Sequence, residues 1–228
     1  MGYRNALKGY RYNSTTSLTV ADPLADPVWD VLLSECPSAT VFHTSAWARV
    51  LSESYGYRPC YIIRTKNDTI TTLVPIMEVK SWLTGTRGVS VPFADYCSSI
   101  LSDEMEGDQI QSFITRLGND RKWRFWELRG GDGLVGNAAP SVCYRGHELR
   151  LQGDAISLFA DLRNSTKRNI RKAEQEGVTV SRSTALSAVE QFYLMHCRTR
   201  KKHGLPPQPY KFFKKLHEHM IDRGLGDV

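Results

Sequence analysis

The sequence predicts an α/β protein, and three patterns support that prediction. Apolar residues recur at helical spacing in some segments and form short alternating or β-branched runs in others. A polar turn, Lys66-Asn67-Asp68, joins two of the strand-like segments as a hairpin. The order strand, helix, helix, strand occurs twice along the chain. We therefore expect two units of similar element order.

The elements of residues 17–146 are recognised from strand composition and from helix start and stop signals. Thr44 or Ser45 can cap a helix whose apolar positions follow the i, i+3, i+4 rule, and Gly56 ends it. The predicted elements are, in order, strand Ser17–Ala21, helix Val28–Cys36, helix Ala46–Tyr55, strand Cys60–Arg64, strand Thr69–Val79, strand Gly85–Val91, helix Glu104–Leu117 and strand Trp123–Leu128.

Residues 147–228 repeat the same kind of pattern. Ser187, with Glu190 three residues later, predicts a capping box that opens a helix burying Val189, Phe192 and Met195. The segment is short for a domain, so we expect either a truncated copy or a small adjunct. The predicted elements are strand His147–Leu151, helix Ser157–Leu162, a helix capped by Asn164 or Ser165 and running to Glu176, strand Val178–Ser181, helix Ser187–Lys202 and helix Tyr210–Arg223.

Composition excludes several classes of protein. Hydrophobic residues make up 41% of the chain and charged residues 24%, as in ordinary globular proteins. Residues 1–12 lack the apolar core of a signal peptide, and no apolar run approaches the roughly 20 residues of a membrane span. The five cysteines form no CxxC pair, which argues against a zinc ribbon or a disulfide framework. A reducing cytoplasm is the predicted location.

Charge is unevenly distributed. Residues 1–146 carry no net charge, and residues 147–228 carry the whole net charge of +6. Such asymmetry predicts an anionic partner for the C-terminal part: a phosphate-bearing substrate, a nucleic acid or a membrane surface.

Six segments, in order, resemble the Fem-type (FemAB-like) aminoacyltransferases of the GNAT superfamily, and especially the Fem-related proteins of exopolysaccharide loci. The segments are HTSAWARVLSESYGYRP (43–59), LVPIMEVKS (73–81), GVSVPFADYC (88–97), WELRG (126–130), LRNSTKRNIRKAEQEGVTV (162–180) and FYLMHCRTRKKHGLPPQPYKFF (192–213).

This resemblance implies tandem GNAT-like (acyl-CoA N-acyltransferase) folds with a mixed, mainly antiparallel sheet. A flexible lead of residues 1–16 precedes a first domain over 17–146, and residues 147–228 form the opening part of an incomplete second domain. The implied reaction is transfer of an acyl or aminoacyl group to an amine of a cell-envelope or polysaccharide precursor. No permanently bound cofactor is implied. Acyl-CoA and aminoacyl-tRNA are the candidate donors, and the short Gly204–Pro209 connection favours a thioester, because tRNA-using relatives often carry a long hairpin there.

Asp95 and Tyr96 are the first candidate site residues. They lie in a loop after a strand, and the family carries an acidic residue in a similar segment. A carboxylate within hydrogen-bond reach of the substrate amine can orient it or relay its proton. The alternative is that Asp95 tightens its own turn or caps Ser98 and Ser99.

Two basic segments are the candidate substrate-binding surfaces. The first is a helix with cations four residues apart, so that each pair shares a face. The second, residues 198–215, has seven cations, no acid and interleaved aromatics, and in Fem-type enzymes the matching region borders the nucleotide diphosphate of the substrate. The residues assigned are Lys167, Arg168, Arg171, Arg198, Arg200, Lys201 and Tyr210. Solvated basic faces are the alternative interpretation.

Three other sequence patterns do not indicate a functional site. Gly131–Gly136 spells GxGxxG, but no helix follows it, as a dinucleotide site requires. The six histidines have no metal-ligand spacing, so no metal site is predicted. His196 and Cys197 are neighbours that diverge on a helix, which argues against nucleophilic catalysis.

Three hypotheses follow. The first is the transferase, acting on a phosphate-bearing small molecule or glycan precursor, with tRNA as one donor. The second is a non-catalytic module that binds an anionic polymer, nucleic acid or phosphate-bearing ligand. The third is a scaffold whose final basic helix contacts a membrane peripherally, at its inner face. The sequence does not indicate an oligomeric state.

Overall fold

The computed structural model describes residues 17–94, 97–101, 107–129, 134, 140–144, 146–147 and 149–228. They group into two compact units, bounded by Met1–Asn137 with Thr184–Val228 (the first unit) and by Ala138–Ser183 (the second unit). This grouping places Thr184–Val228 with the first part of the chain. The domain boundaries drawn from the sequence stay a prediction.

The first unit contains two four-stranded sheets. One sheet is antiparallel throughout, with the strand order β1-β3-β4-β7. The other has the order β2-β5-β6-β8, and only the β6–β8 pair is parallel. The strands are β1 (Thr19–Ala21), β2 (Arg58–Pro59), β3 (Tyr61–Lys66), β4 (Thr69–Val74), β5 (Ile76–Ser81), β6 (Gly85–Ser90), β7 (Ile100–Leu101) and β8 (Trp126–Glu127). Mixed, mainly antiparallel sheets are thus confirmed.

The two sheets are joined at Cys60 and Pro75, where the chain leaves one sheet for the other. Pro75 has no N–H to donate to a strand ladder, so pairing stops there. The Cys60 N–H donates to the Ile76 carbonyl at 2.8 Å and links the two sheets. The single strand predicted over Thr69–Val79 is therefore two strands.

The β3–β4 hairpin is confirmed. Asn67 and Asp68 have φ angles of 51° and 59°, as a two-residue type I′ turn requires. Such angles suit asparagine and aspartate better than other residues with side chains, so these two residues set the register of the hairpin.

Helix α2 also follows its sequence signals. The Thr44 hydroxyl accepts a hydrogen bond from the Trp47 N–H, and Gly56, with φ 71°, ends the helix. The helices are α1 (Trp29–Ser34), α2 (Ser45–Tyr55), α3 (Gly107–Asp120), α4 (Ala155–Asp161), α5 (Asn164–Gln175), α6 (Leu186–Lys202) and α7 (Tyr210–His219), with 3-10 turns at Val41–His43 and Ile221–Arg223.

Two cores occupy opposite faces of the β3–β4 pair. Tyr61 and Ile63 face one core, which α1, α2, α6 and α7 also enter. Cys60 and Ile62 face the other, which is filled by α3 and Trp123. A strand buried on both faces reads as a continuous apolar run, which explains the sequence CYII.

Several predictions about the C-terminal part are wrong. The described residues of 147–151 and 178–181 are not in strands, because a strand needs a paired neighbour to be stable. Helix α6 starts at Leu186 with Ala185 as an uncapped N-cap, since Leu186 packs on the first core and extends the helix upstream of Ser187. Likewise, Arg163 precedes α5, without a side-chain cap.

Of the three residues expected to be buried on α6, only Val189 is. Phe192 and Met195 are exposed. Phe192 lies at the edge of the contact with α7, its ring centre 5.9 Å from that of Phe213, and Met195 lies off that contact. Helix α7 ends at His219, and a 3-10 turn follows.

Candidate functional site

A cleft of about 250 Å³ lies where the end of α2, the turn after β6 and the α6–α7 connection meet. It is smaller than a typical whole-ligand pocket, so it suits one group of a larger ligand. A more open depression of about 670 Å³ is lined by α3 only, and one helix cannot surround a ligand. The cleft residues are Tyr55, Phe93, Arg200, Pro206, Pro207, Gln208 and Pro209.

Aromatic rings form one side of the cleft. Phe93 stacks on Tyr55 with centroids 4.9 Å apart, and Tyr55 stacks on Tyr57 at 5.2 Å. Phe212 of α7 packs against both Tyr55 and Phe93 from the core side. These packed rings give a rigid apolar surface on which a flat or aliphatic group can lie.

The turn that carries Phe93 is strained. Val91 and Phe93 have φ angles of 31° and 67°, a region that residues with side chains rarely occupy. Val91 is fully buried, which holds it in this conformation. Strain of this kind concentrates at binding and catalytic sites. Asp95 follows Phe93 by two residues.

The Tyr55 hydroxyl is buried and has no hydrogen-bond partner among the residues that the structure describes. Burial raises the Tyr55 pKa to about 12, so the group is a neutral phenol at physiological pH. A buried hydroxyl without a partner is costly.

Arg200 is the cation among the described residues that line the cleft. It lies on the α6 stripe of Val189 and Tyr193, which faces α7. Its Nε donates to the Pro206 carbonyl at 3.1 Å, which uses one of the five guanidinium N–H groups. This bond ties the side chain to the proline-rich connection.

The structure separates Arg200 from the other predicted cations of α6. Arg198 is two residues away, hence about 160° around the helix, and is exposed, as is Lys201. Tyr210 is not free, because its hydroxyl donates to Glu190 Oε1 at 2.9 Å, and this bond raises the Tyr210 pKa. Ligand-binding roles for these residues remain predictions.

Lys167, Arg168 and Arg171 lie on α5 in the second unit. Lys167 Nζ donates to the Ala160 carbonyl at 2.6 Å, and the Arg171 guanidinium lies 5.8 Å from the centre of the Phe159 ring. Arg168 is exposed. Their roles, too, remain predictions.

The candidate catalytic residue Asp95 and the candidate substrate-binding residue Tyr96 lie outside the described residues. The segment that follows them is held by His43, which is fully buried. His43 Nε2 donates to the Ser98 carbonyl at 2.9 Å, and Nδ1 accepts from the Thr40 N–H at 3.0 Å. Burial lowers the His43 pKa and keeps the ring neutral, which suits this pattern. Burial also raises the pKa of the neighbouring Cys97 thiol to about 12.

A polar cluster joins α2 to α7. The Glu53 carboxylate accepts from Lys215 Nζ at 2.7 Å and from His219 Nε2 at 3.0 Å. The Lys215 and His219 bonds lower the Glu53 pKa to about 2. Glu53, Glu218 and His219 lie close enough together to hold a cation. The ammonium group of Lys215, which is ion-paired with Glu218, is such a cation. That no metal site exists stays a prediction.

Tyr55, Phe93 and His43 were not predicted from the sequence. Tyr55 sits at the end of an amphipathic helix and looks like a core residue, and Phe93 was read only as part of the Asp95 loop. No sequence signal connects His43 to Ser98, because the contact joins segments far apart in the chain.

Among the described residues, no helix combines the length and hydrophobicity that crossing a membrane requires. The compartment stays a prediction.

No family model and no curated protein matches this sequence. Among solved structures, the chain is similar to the crystal structure of FemX, with a TM-score of 0.59 and 13% sequence identity. The similarity covers 92% of this chain and 56% of the FemX chain, so this chain spans little more than half of FemX. At that identity the likeness shows the fold alone. It confirms a mixed α/β, GNAT-like fold of the kind that FemX has.

Proposed function

We propose that this chain takes part in N-acyl transfer: an acyl or aminoacyl group passes to an amine of a cell-envelope or polysaccharide precursor. The observation that carries the proposal is the cleft beside the strained Val91–Phe93 turn. It combines an aromatic wall with the guanidinium group of Arg200. The FemX-like fold supports the choice of reaction class.

The chemistry requires no covalent enzyme intermediate. The amine nitrogen forms a bond to the acyl carbon, and the bond from that carbon to the donor's sulfur or ester oxygen breaks. The amine loses one proton, and the leaving group gains one. The proposed role of Asp95 is to accept the amine proton, because a carboxylate placed within hydrogen-bond reach can act as a general base.

Arg200 has the proposed role of anchoring an anionic group of the substrate, a phosphate or a carboxylate. A guanidinium group binds such groups through paired, charge-assisted hydrogen bonds. The wall formed by Tyr55 and Phe93 would hold the adjoining apolar or ring portion, and Tyr96 is proposed to border it. Because the cleft accepts only one group, the rest of the precursor would extend outside it.

Arg200 and Arg198 give a matched test of this assignment, because they are the same residue type on opposite faces of one helix. We expect Arg200→Ala to weaken the binding of a nucleotide diphosphate-linked muramoyl peptide by about tenfold, the loss of one charge-assisted contact. Arg198→Ala should change it less than about twofold. Isothermal titration calorimetry measures both.

Transfer itself is tested by mass spectrometry with acetyl-CoA and alanyl-tRNA as donor probes and the muramoyl peptide as acceptor. Asp95→Asn should reduce product formation by about a hundredfold while binding persists. Absence of product from both donors with wild-type protein would count against transfer by this chain. Equal binding by the two arginine variants would contradict the proposed role of the cleft in substrate binding.

Helix α5 favours a second candidate function, the binding of an anionic polymer. None of its residues is buried, and it carries Lys167, Arg168, Arg171 and Lys172 within two turns. If these side chains contact single-stranded RNA, log K should fall with log salt concentration by about 0.7 per phosphate contact. Fluorescence anisotropy of the full chain at several salt concentrations tests this. A flat salt dependence would eliminate it.

A further inference from the structure

The turn between β5 and β6 presents two large apolar side chains to solvent. Trp82 is 95% exposed and Leu83 is 72% exposed. Tryptophan is largely buried in most proteins, so exposure this complete is unusual. Adjacent exposed apolar side chains of this size mark an interaction surface.

The turn is held in a defined conformation. Ser81 and Gly85 are paired across the hairpin, and the Thr84 N–H donates to Ser81 Oγ at 3.2 Å. Gly85 has φ 78°, and a Cβ there would lie 2.5 Å from Arg124 Cδ, so the position suits only glycine. The backbone of the turn therefore holds Trp82 and Leu83 at the end of the hairpin.

Three cations contact this turn or flank it in the sequence. Arg87 Nη1 donates to Thr84 Oγ1 at 2.8 Å, and Arg124 Nη1 donates to the Thr84 carbonyl at 3.2 Å. Lys80, beside Ser81, is exposed. In the part of the chain that the structure describes, none of these three cations forms a salt bridge. The hairpin tip thus combines an apolar end with uncompensated positive charge.

We propose that this tip docks on the surface of an anionic lipid bilayer. Tryptophan favours the boundary between headgroups and acyl chains, where its ring is apolar and its N–H can be hydrated. Lysine and arginine near that depth bind headgroup phosphates and are attracted by the negative leaflet. We assign the tip to a lipid surface because its apolar end is complementary to the acyl region and its cations are complementary to the anionic headgroups.

This surface is distinct from the final basic helix that the sequence suggested for membrane contact. The apolar side chains of α7, Phe212 and Phe213, are buried in the core and cannot enter a bilayer without unfolding. The inference does not depend on the proposed transfer reaction, since no cleft residue belongs to the hairpin tip.

Flotation of the full chain with vesicles tests the proposal. We expect binding to vesicles of phosphatidylcholine with phosphatidylglycerol, and at least about tenfold weaker binding to phosphatidylcholine alone. Trp82→Ser with Leu83→Ser should weaken anionic-vesicle binding about tenfold, because the interfacial contact is lost. Leu225→Ser is the matched control, an exposed leucine between Asp222 and Asp227, and should bind as the wild type does.

Far-UV circular dichroism of each variant establishes that it is folded. Failure of the wild-type chain to bind anionic vesicles would overturn the proposal, as would equal binding by the double variant. So would concentration-dependent self-association that the double variant abolishes, because it would assign the tip to a second copy of the chain. Quenching of wild-type fluorescence by brominated lipids, reduced in Trp82→Phe, would support it.

Discussion

Helices α5 and α7 are both rich in lysine, and the sequence marks both as parts of ligand-binding surfaces, yet the structure uses them differently. Helix α7 buries Phe212, Phe213 and His219. Helix α5 buries nothing, and its partly covered apolar positions are few. An aromatic stripe therefore makes α7 part of the core, whereas α5 has no such stripe.

The same contrast extends to the cations. Lys215 of α7 forms ion pairs with Glu53 at 2.7 Å and Glu218 at 2.8 Å and so helps to hold the helix on α2. At the C-terminal end of α5, Lys172 Nζ lies 3.7 Å from Oε1 of the C-cap residue Glu176, and both side chains are exposed. Positive charge in a sequence thus shows that a segment is basic, but packing decides whether the charge remains available to a ligand.

The largest expected effect tests whether α7 is part of the core. Phe212→Ala should lower the free energy of unfolding by about 3–5 kcal/mol, because Phe212 contacts Trp47, Tyr55 and Phe93 in a closed aromatic cluster. Ile170→Ala on α5 should cost less than about 1 kcal/mol. Urea unfolding followed by far-UV circular dichroism, which reports helices of both units, measures the two losses. Equal losses would contradict the expected difference between α7 and α5.

An effect of intermediate size is expected at His43, whose ring hydrogen-bonds Thr40 and the Ser98 carbonyl within the first unit. Burial lowers the His43 pKa in the folded state below the ordinary value of 6.5. As the pH falls below 6.5, the unfolded chain therefore binds a proton at His43 more readily than the folded chain does. The stability that His43 contributes is present above pH 6.5 and declines as the pH falls below it towards the folded pKa.

His43→Gln should cost about 2 kcal/mol at neutral pH through lost hydrogen bonds. It should also flatten the dependence of unfolding free energy on pH below 6.5. Urea titrations at several pH values provide the slope. An unchanged slope in the variant would show that another group causes the wild-type dependence.

The smallest expected effect sharpens the contrast between the two ion pairs. The Glu53 pKa falls from 4.5 to about 2 on folding, so its contribution is present above pH 4.5 and is lost as the pH falls towards 2. Since a third of the side chain is in solvent, Glu53→Gln should cost only about 1 kcal/mol at neutral pH.

The matched control on α5 is Glu176→Gln, which should cost less than about 0.5 kcal/mol because both partners of that pair are exposed. Thermal unfolding at neutral pH and at pH 3 distinguishes the two variants. Equal costs would mean that the α2–α7 cluster contributes no more than a surface pair.

Local signals explain what could be predicted of the fold. The cap of α2, its glycine stop and the β3–β4 turn depend on neighbouring residues, and all three are confirmed. The strands predicted at 147–151 and 178–181 were wrong because a strand depends on a partner that its own sequence does not specify. The exposure of Met195 likewise depends on which stripe of α6 the next helix covers.

The candidate site shows the same limit. Arg200 was among the predicted residues, but only the helix packing distinguishes it from Arg198. Tyr55 and Phe93 were not predicted, because a stacked pair from α2 and the turn after β6 is created by the sheet and helices that bring those segments together.

The amino-acid sequence by itself determined the α/β class, the positions of most helices, the hairpin and the basic character of the C-terminal part, because these follow from backbone preferences and composition. The tertiary structure decided which aromatic rings meet, which arginine lines the cleft and which lysine is held in ion pairs. Those contacts join residues distant in the chain, and their energies depend on the packing of whole elements rather than on local sequence.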